Sequence, residues 1–167
     1  MRCQVRFGQI PFFLFKGTGN SPNLKARIRN LLHFSYLLKN IDLEDLVILS
    51  KLLIFAGIVN VWFFRINKGT QWRGGEAGSM QEEFEVYGLS RAMMFMVGTL
   101  KVLAAIALVI SIWYPFLAIP ASAAIGFLML GAIWMHLRVK DPLKKSLPAA
   151  ILFLLSAFIW LYSTGVL

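Results

Sequence analysis

Charged residues are scarce in this chain. They make up 15% of its 167 residues, against roughly 25% in soluble domains. Hydrophobic residues reach 58%, above the roughly 45–50% of soluble chains. The length suits one domain, and a single soluble core cannot absorb that apolar excess. The composition therefore argues against an ordinary soluble domain and favours a protein that lies in a membrane.

Cysteine and histidine are also rare. Cys3 is the single cysteine, so the chain cannot form an intrachain disulfide and has no C-x-x-C pair. This argues against a self-contained dithiol oxidoreductase. The two histidines, His33 and His136, stand far apart, and no haem-attachment motif occurs. We therefore predict no metal site.

Acidic residues are missing from the first 40 positions, which hold seven Lys and Arg. The formal net charge is +9, but the basic residues lie mostly between apolar blocks, so we expect anionic lipid headgroups and not nucleic acid as their counter-charge. Residues 1–40 are interpreted as a basic N-terminal tail, either disordered or a surface helix over residues 24–38, or as untranslated upstream sequence over residues 1–30. Residues 41–167 are interpreted as the membrane domain.

Four apolar blocks of about 20 residues are long enough to cross a bilayer core of roughly 30 Å. The predicted spans are residues 46–64, 92–113, 116–135 and 147–167. The chain is therefore predicted to be all-α, an integral membrane four-helix bundle that packs its third span through a stripe of small residues. Ser90 is the predicted N-cap of the second span, and Ser146 is the predicted cap of the last span. Four tryptophans at block ends are expected to anchor the interfaces: Trp62, Trp113, Trp134 and Trp160.

The first loop, residues 65–90, is predicted to contain a short surface helix. Ser79 and Glu82 match a capping box at its start, and Gly88 should end it. Phe84 and Tyr87 are then expected to rest on the membrane, with Glu82, Glu83 and Glu85 exposed to water.

Lys101 is the most informative residue, because a lysine at mid-span costs about 2.5–3.5 kcal/mol on the insertion scale. We predict that it points into the bundle from the helix face that carries Gly98 and leans towards the first loop. Two interpretations stay open: partial snorkelling with local bilayer thinning, and a site for an anionic or carbonyl-bearing ligand or a proton relay. No acid lies in an apolar block, so the candidate polar neighbours are Asn60, Ser111 and Ser122.

Two further polar residues lie near block ends. Lys51 is about one and a half turns into the first block and is expected to snorkel back to the interface. His136 closes the third block, where a helix C-terminus favours its charged form. It is interpreted as an interfacial histidine or as a further candidate ligand contact.

The charge rule for orientation does not decide cleanly, because the tail carries seven Lys and Arg and the two long loops carry eight, counting Arg91 at the edge of the first loop. If residues 1–30 are absent, only Lys39 remains in the tail. We therefore expect the loops inside and the termini outside, in a bacterial cytoplasmic membrane.

A set of ordered motifs lies between Trp62 and Leu161: Phe64–Gly75, Glu82–Phe84, Tyr87–Leu89, Val97–Lys101, Leu130–Ala132, Met135–Pro142 and Leu147–Ala149. Together they resemble the DoxX-like membrane proteins. The resemblance implies a four-helix membrane bundle and a link to membrane-bound sulfur or quinone redox complexes. No cofactor motif stands in the sequence, so quinone is a candidate cofactor by resemblance, and the candidate partners are a membrane redox protein or a second copy of the chain. It brings no catalytic residues to this chain. The alternatives are a non-enzymatic transporter or lipid- or anion-binding bundle, and a structural partner of another membrane protein.

Overall fold

The computed structural model describes residues 27–31 and 42–167. Residues 27–31 are helical and exposed, and the rest of the predicted tail lies outside the described residues. Backbone contacts divide the chain between Ile41 and Asp42, so the second unit holds all four apolar blocks.

This second unit consists of five helices, of which four are long and apolar enough to cross a membrane. The part of the chain that the structure describes contains no strand. The predicted all-α four-helix membrane bundle is confirmed, and the chain is a multi-pass membrane protein. The helices are α1 (Leu43–Val59, continued by a π-helical turn at Asn60–Phe64), α2 (Met80–Val86), α3 (Arg91–Ile110), α4 (Ala118–Arg138) and α5 (Leu143–Ser163).

Three predicted helix boundaries are confirmed by their capping hydrogen bonds. The Ser79 hydroxyl accepts the Glu82 N–H at 3.2 Å, and the Ser90 hydroxyl accepts the Met93 N–H at 3.3 Å. Gly88 ends the short helix with a positive φ of 72°, which favours glycine because it has no Cβ.

The start of the last span differs from the prediction. α5 begins at Leu143 after Pro142, and Ser146 lies buried inside the helix instead of capping it. The basic residues 144 and 145 mark the edge of the apolar block but not of the helix, because long lysine side chains can carry their charge away from a helical backbone. The two lysines therefore predicted where the apolar block begins and not where the helix begins.

The four long helices form a ring in which each packs against two neighbours, α1 on α3, α3 on α4, α4 on α5 and α5 on α1. The predicted small-residue stripe of α4 is buried, and Gly126 lies against Ser156 of α5. Fully buried aliphatic side chains fill the centre: Ile54, Ala105, Leu108, Ile125 and Ile159.

Two side chains point inward against expectation. Trp62 is half-buried and packs on Gly98, so close that a Cβ there would overlap its ring. Lys51 is 6% exposed and its amine donates to the Ser111 carbonyl at 3.4 Å, so the amine ends on protein at the end of α3 instead of in water. The carbonyls at the end of α3 lack helical partners and carry the negative end of the helix dipole, which accommodates this amine.

Candidate functional site

A cavity of about 650 Å³ lies among the four long helices at the end of the bundle that carries the first loop. Its walls are mainly apolar, with side chains such as Val97, Leu128 and Leu152. Polar side chains also line it, and several come from the first loop and from the ends of α4 and α5: Asn60, Arg65, Arg73, Glu83, Tyr87, Lys101, His136 and Lys145.

Arg73 fixes the first loop against the end of α1. Its guanidinium is 5% exposed and donates to the Glu83 carboxylate at 2.8 Å. It also donates to the carbonyls of Lys68 at 2.9 Å and of Arg65 and Ile66. These carbonyls follow the last turn of α1, and those of Arg65 and Ile66 also accept the backbone N–H groups of Lys68 and Met80. The arginine adds its bonds to these backbone bonds and holds the loop closed.

Glu83 is the counter-charge of Arg73, and it is buried. Besides Arg73, it accepts the Gly74 N–H at 2.8 Å and the Tyr87 hydroxyl at 3.0 Å. The prediction that Glu83 is exposed to water is therefore wrong. Its buried charge is tolerated because an ion pair and two further hydrogen bonds satisfy it.

The aromatic residues of the short helix also turn inward. Phe84 and Tyr87 are 8% and 7% exposed, so the expectation that they rest on the membrane is wrong. The Tyr87 ring lies so close to Gly74 that a Cβ there would overlap it. The helix exists as predicted, but Phe84 packs with Met80 and Met94, while Glu83 and His136 bind the Tyr87 hydroxyl.

His136 links this loop to the connection between α4 and α5. Its Nδ1 lies 2.9 Å from an Asp141 carboxylate oxygen, and its ring nitrogens lie 3.2 and 3.3 Å from the Tyr87 hydroxyl. Asp141 also accepts the Gly75 N–H at 3.0 Å and the Lys145 amine at 3.3 Å. We call this set the loop-end network: Arg73, Glu83, Tyr87, His136, Asp141 and Lys145.

Two members of the network have shifted acidities. Burial acts to raise the pKa of the Asp141 carboxyl, but hydrogen bonds from His136, the Gly75 N–H and Lys145 outweigh it and hold that pKa below its ordinary value. Burial, together with the charge and hydrogen bond of Glu83, raises the pKa of the Tyr87 hydroxyl well above its ordinary value. Asp141 is thus held as an anion while Tyr87 is held neutral.

The structure brings three of the five predicted site residues to the cavity: Lys101, Asn60 and His136. Lys101 is half-buried on the α3 face that also carries buried Gly98. Its amine makes no hydrogen bond or ion pair with residues 27–31 or 42–167.

The other two candidates do not reach the cavity. The Ser111 hydroxyl donates to the Leu108 carbonyl at 2.6 Å, and the Ser122 hydroxyl donates to the Ala118 carbonyl at 2.6 Å. Ser122 lies instead in a separate groove between α4 and α5. Both hydroxyls satisfy their own helix, as serines in apolar helices commonly do.

Sequence reasoning missed five members of the network as site residues, because their partners stand far apart in the chain. Gly75 and Asp141 are separated by 66 positions, and no periodicity joins them. A signal did exist, since the family-like motifs contain every member of the network except Lys145.

The cavity can accept a ligand with an apolar body and a polar head. Apolar helix walls surround most of it, while amine, phenol, imidazole and amide groups provide hydrogen bonds for a carbonyl or an anion. Within the described ranges, no group of three or more His, Cys, Asp or Glu side chains could hold a metal ion.

Comparison with known proteins gives one match. The model of the DoxX-like family matches residues 50–159, which include most of α1, all of α2, α3 and α4, and most of α5. No curated protein and no solved structure matches the chain. The match covers well over half of the sequence and every member of the loop-end network, and the chain belongs to the DoxX-like family.

Proposed function

We propose that this protein binds a quinone in the cavity and acts as a small membrane subunit of a quinone- or sulfur-linked oxidoreductase assembly in the bacterial cytoplasmic membrane. In this proposal the chain holds and orients the quinone. A redox partner in the membrane provides the electrons.

The size and walls of the cavity support a lipid-soluble ligand. A volume of about 650 Å³ lies within the roughly 300–1,000 Å³ of small-molecule sites. Phe127 is 77% exposed and Ile151 is 55% exposed, yet both also line the cavity. These side chains lie within the membrane spans, so the cavity borders the hydrocarbon and a ligand can enter from the bilayer.

Lys101 is the observation that carries the proposal. Its amine faces an apolar-walled cavity in the membrane without a partner in the described parts of the chain. A mid-span lysine is costly and marks a functional site by default. A quinone carbonyl accepts hydrogen bonds, so it would give this amine a partner, while Asn60 and His136 can bind the same ring.

A second candidate function is the binding of an anionic lipid or solute without electron transfer. The charged side chains of the cavity favour it, since four cations line it against one acid, Glu83. Arg73 is neutralised by Glu83 and Lys145 by Asp141. Lys101 and the exposed Arg65 remain available to attract the negatively charged group of an anionic lipid or solute.

Quinone binding by the purified protein in lipid nanodiscs tests the proposal. Trp62 and Trp72 line the cavity, so quenching of tryptophan fluorescence by a short-chain ubiquinone or menaquinone analogue reports occupancy. We expect saturable binding that Lys101→Leu weakens about tenfold or more, because a hydrogen bond to a charged group contributes about 1.5–3 kcal/mol.

Lys68→Leu is the matched control, because Lys68 is exposed and does not line the cavity. Its binding should equal that of the wild type. Equal affinity of Lys101→Leu and the wild type would contradict the proposed role of Lys101. Failure to bind quinone together with saturable binding of oleate would favour the second candidate.

A further inference from the structure

A continuous chain of hydrogen-bonding side chains runs from the surface of the loop end to the cavity. The Lys145 amine lies 3.3 Å from Asp141, and Asp141 lies 2.9 Å from His136 Nδ1. Because Nδ1 is bonded to Asp141, the last step uses the other ring nitrogen, Nε2, which lies 3.3 Å from the Tyr87 hydroxyl. Each step is within hydrogen-bond distance. Lys145, His136 and Tyr87 all line the cavity, and the last two lie at the end of the chain where a ligand head would be.

Exposure changes along this chain. The Lys145 side chain is 20% exposed and the Asp141 side chain 5%. His136 is 6% exposed and Tyr87 7%. Water therefore reaches the first member more readily than the middle ones, and a proton that crosses the middle must pass from one side chain to the next.

The hydrogen-bond roles allow such a transfer without movement of the backbone. Tyr87 has a single O–H, which it donates to Glu83 or to His136 when the cavity is empty and can donate to a ligand carbonyl when one is bound. When it donates to Glu83, its oxygen can accept an N–H from His136. When it turns to His136, Glu83 keeps its bonds to Arg73 and to the Gly74 N–H. The two arrangements differ only in where protons lie.

We propose that Asp141, His136 and Tyr87 transfer protons between the aqueous end of the bundle and the carbonyl oxygens of a quinone bound in the cavity. The inference rests on the proposed function. Reduction of the quinone to quinol takes two electrons from a reductant and two protons from water. Each proton passes through Asp141 and His136, and His136 or Tyr87 donates it to a carbonyl oxygen as a new O–H bond.

The acidity of Tyr87 decides how it takes part. Because burial and Glu83 raise its pKa, it does not lose a proton before it gains one. It passes protons only by accepting from His136 while donating to the ligand. The charged groups around this step are Glu83 from α2, Arg73 from the first loop, Lys101 from α3 and the Asp141–Lys145 pair.

The alternative is that the same bonds only hold the loop in place. Reduction of bound quinone by dithionite, which is oxidised to sulfite and supplies the electrons, separates the two roles. Wild type, Tyr87→Phe and His136→Gln are compared in anaerobic nanodiscs loaded with short-chain quinone, with quinol formation followed by absorbance. Tyr162→Phe is the matched control, since Tyr162 lies on α5 and does not line the cavity.

At quinone concentrations that saturate each variant, we expect Tyr87→Phe and His136→Gln to form quinol about 100-fold more slowly than the wild type, the scale of general acid catalysis. Added imidazole should restore part of the rate, and the wild-type rate should fall in D₂O. Wild-type rates with intact quinone binding would overturn the proton path alone. A slow rate that imidazole does not restore would assign the residues to structure and also overturn it. Absence of quinone binding to the wild type would overturn the proposed function itself.

Discussion

Arg73 shows how a buried charge is accommodated at the scale of one residue. Its guanidinium binds one carboxylate and three backbone carbonyls, and these bonds replace the hydration that the guanidinium loses on burial. Lys101 is the opposite case, because its amine faces a cavity without such a set of partners. One basic residue therefore serves the fold, and the other is available to a ligand.

Replacement of Lys101 by leucine should preserve or raise stability, because it removes a polar group from the interior of the membrane domain. We expect the free energy of unfolding to stay equal or to rise by about 1–3 kcal/mol, measured by thermal denaturation in detergent. The same variant should fail to complement a deletion strain. Full complementation by Lys101→Leu would end the interpretation of this lysine as a functional site.

Replacement of Asp141 by asparagine should remove a pH-dependent part of the stability. The folded-state pKa of Asp141 lies below its ordinary value of 3.8, so its carboxylate stabilises the fold fully above about pH 5 and less as the pH falls through 3.8. Asp141→Asn should cost about 1.5–3 kcal/mol at pH 7, the scale of a hydrogen bond to a charged group.

The measurement is the melting temperature of both proteins in detergent between pH 7 and pH 3. Their difference should be largest at pH 7 and shrink as the pH falls, because other carboxylates affect both proteins alike. A difference that stays constant across this range would assign the loss to packing and not to charge.

The individual site residues were predictable only in part. Lys101 and His136 stand out because polar residues in or beside apolar blocks are rare, and both line the cavity. Glu83 was predicted to be exposed to water because the sequence around it is typical of an exposed acidic helix. Its partner Arg73 stands ten positions earlier, outside that helix, so helical periodicity could not pair the two residues.

At the scale of the elements, the contact between α1 and α3 is set by one glycine. The Trp62 ring occupies the space that a side chain at Gly98 would need. A residue with a Cβ there must push the ring or the helix away, since packed interiors leave few voids.

Gly98→Ala should therefore destabilise the bundle by about 1–3 kcal/mol, the usual cost of overpacking. Gly131→Ala on α4 is the matched control, because a Cβ there meets nothing within 4 Å. The control should leave stability unchanged or raise it by up to about 1 kcal/mol through better helix propensity. Equal melting temperatures of the two variants would contradict the close packing of Trp62 on Gly98.

The helices themselves were more predictable than the residues that they pack against. Apolar block length predicted the four spans, and Ser79, Ser90 and Gly88 marked true helix ends because capping is a local interaction. Ser146 failed as a cap because a serine preceding an apolar run is equally compatible with the second turn of a helix that starts at a proline.

At the scale of the whole molecule, the four antiparallel spans place the first loop and the α4–α5 connection at one end. Gly75 and Asp141 are in direct contact there. The turn at Tyr114 joins α3 to α4 and so lies at the opposite end.

Cysteines introduced at positions 76 and 143 should therefore react with a membrane-impermeant reagent from the same side, in a Cys3→Ser background. A cysteine at position 114 should react from the other side only. Labelling of positions 76 and 143 from opposite sides would contradict the four-span topology.

Deletion of residues 1–30 should leave membrane insertion and thermal stability intact. Residues 42–167 form a compact unit with its own core, and the family match begins at residue 50. The melting temperatures of the full and shortened chains in detergent give the comparison. Loss of folded protein on deletion would show that the tail is part of the domain.

The bond between Gly75 and Asp141 also sets the order in which the loop-end network can form while the chain is synthesised on the ribosome. At about 5–20 residues per second, roughly 3–13 s pass between the synthesis of Gly75 and that of Asp141, because 66 positions separate them. During that interval Tyr87 cannot bind His136, which has not been synthesised for most of this time, and the first loop has no bond to the α4–α5 connection. A nascent chain that stops before His136 thus exposes an unfinished polar end, because neither Tyr87 nor Gly75 has its partner from the α4–α5 connection.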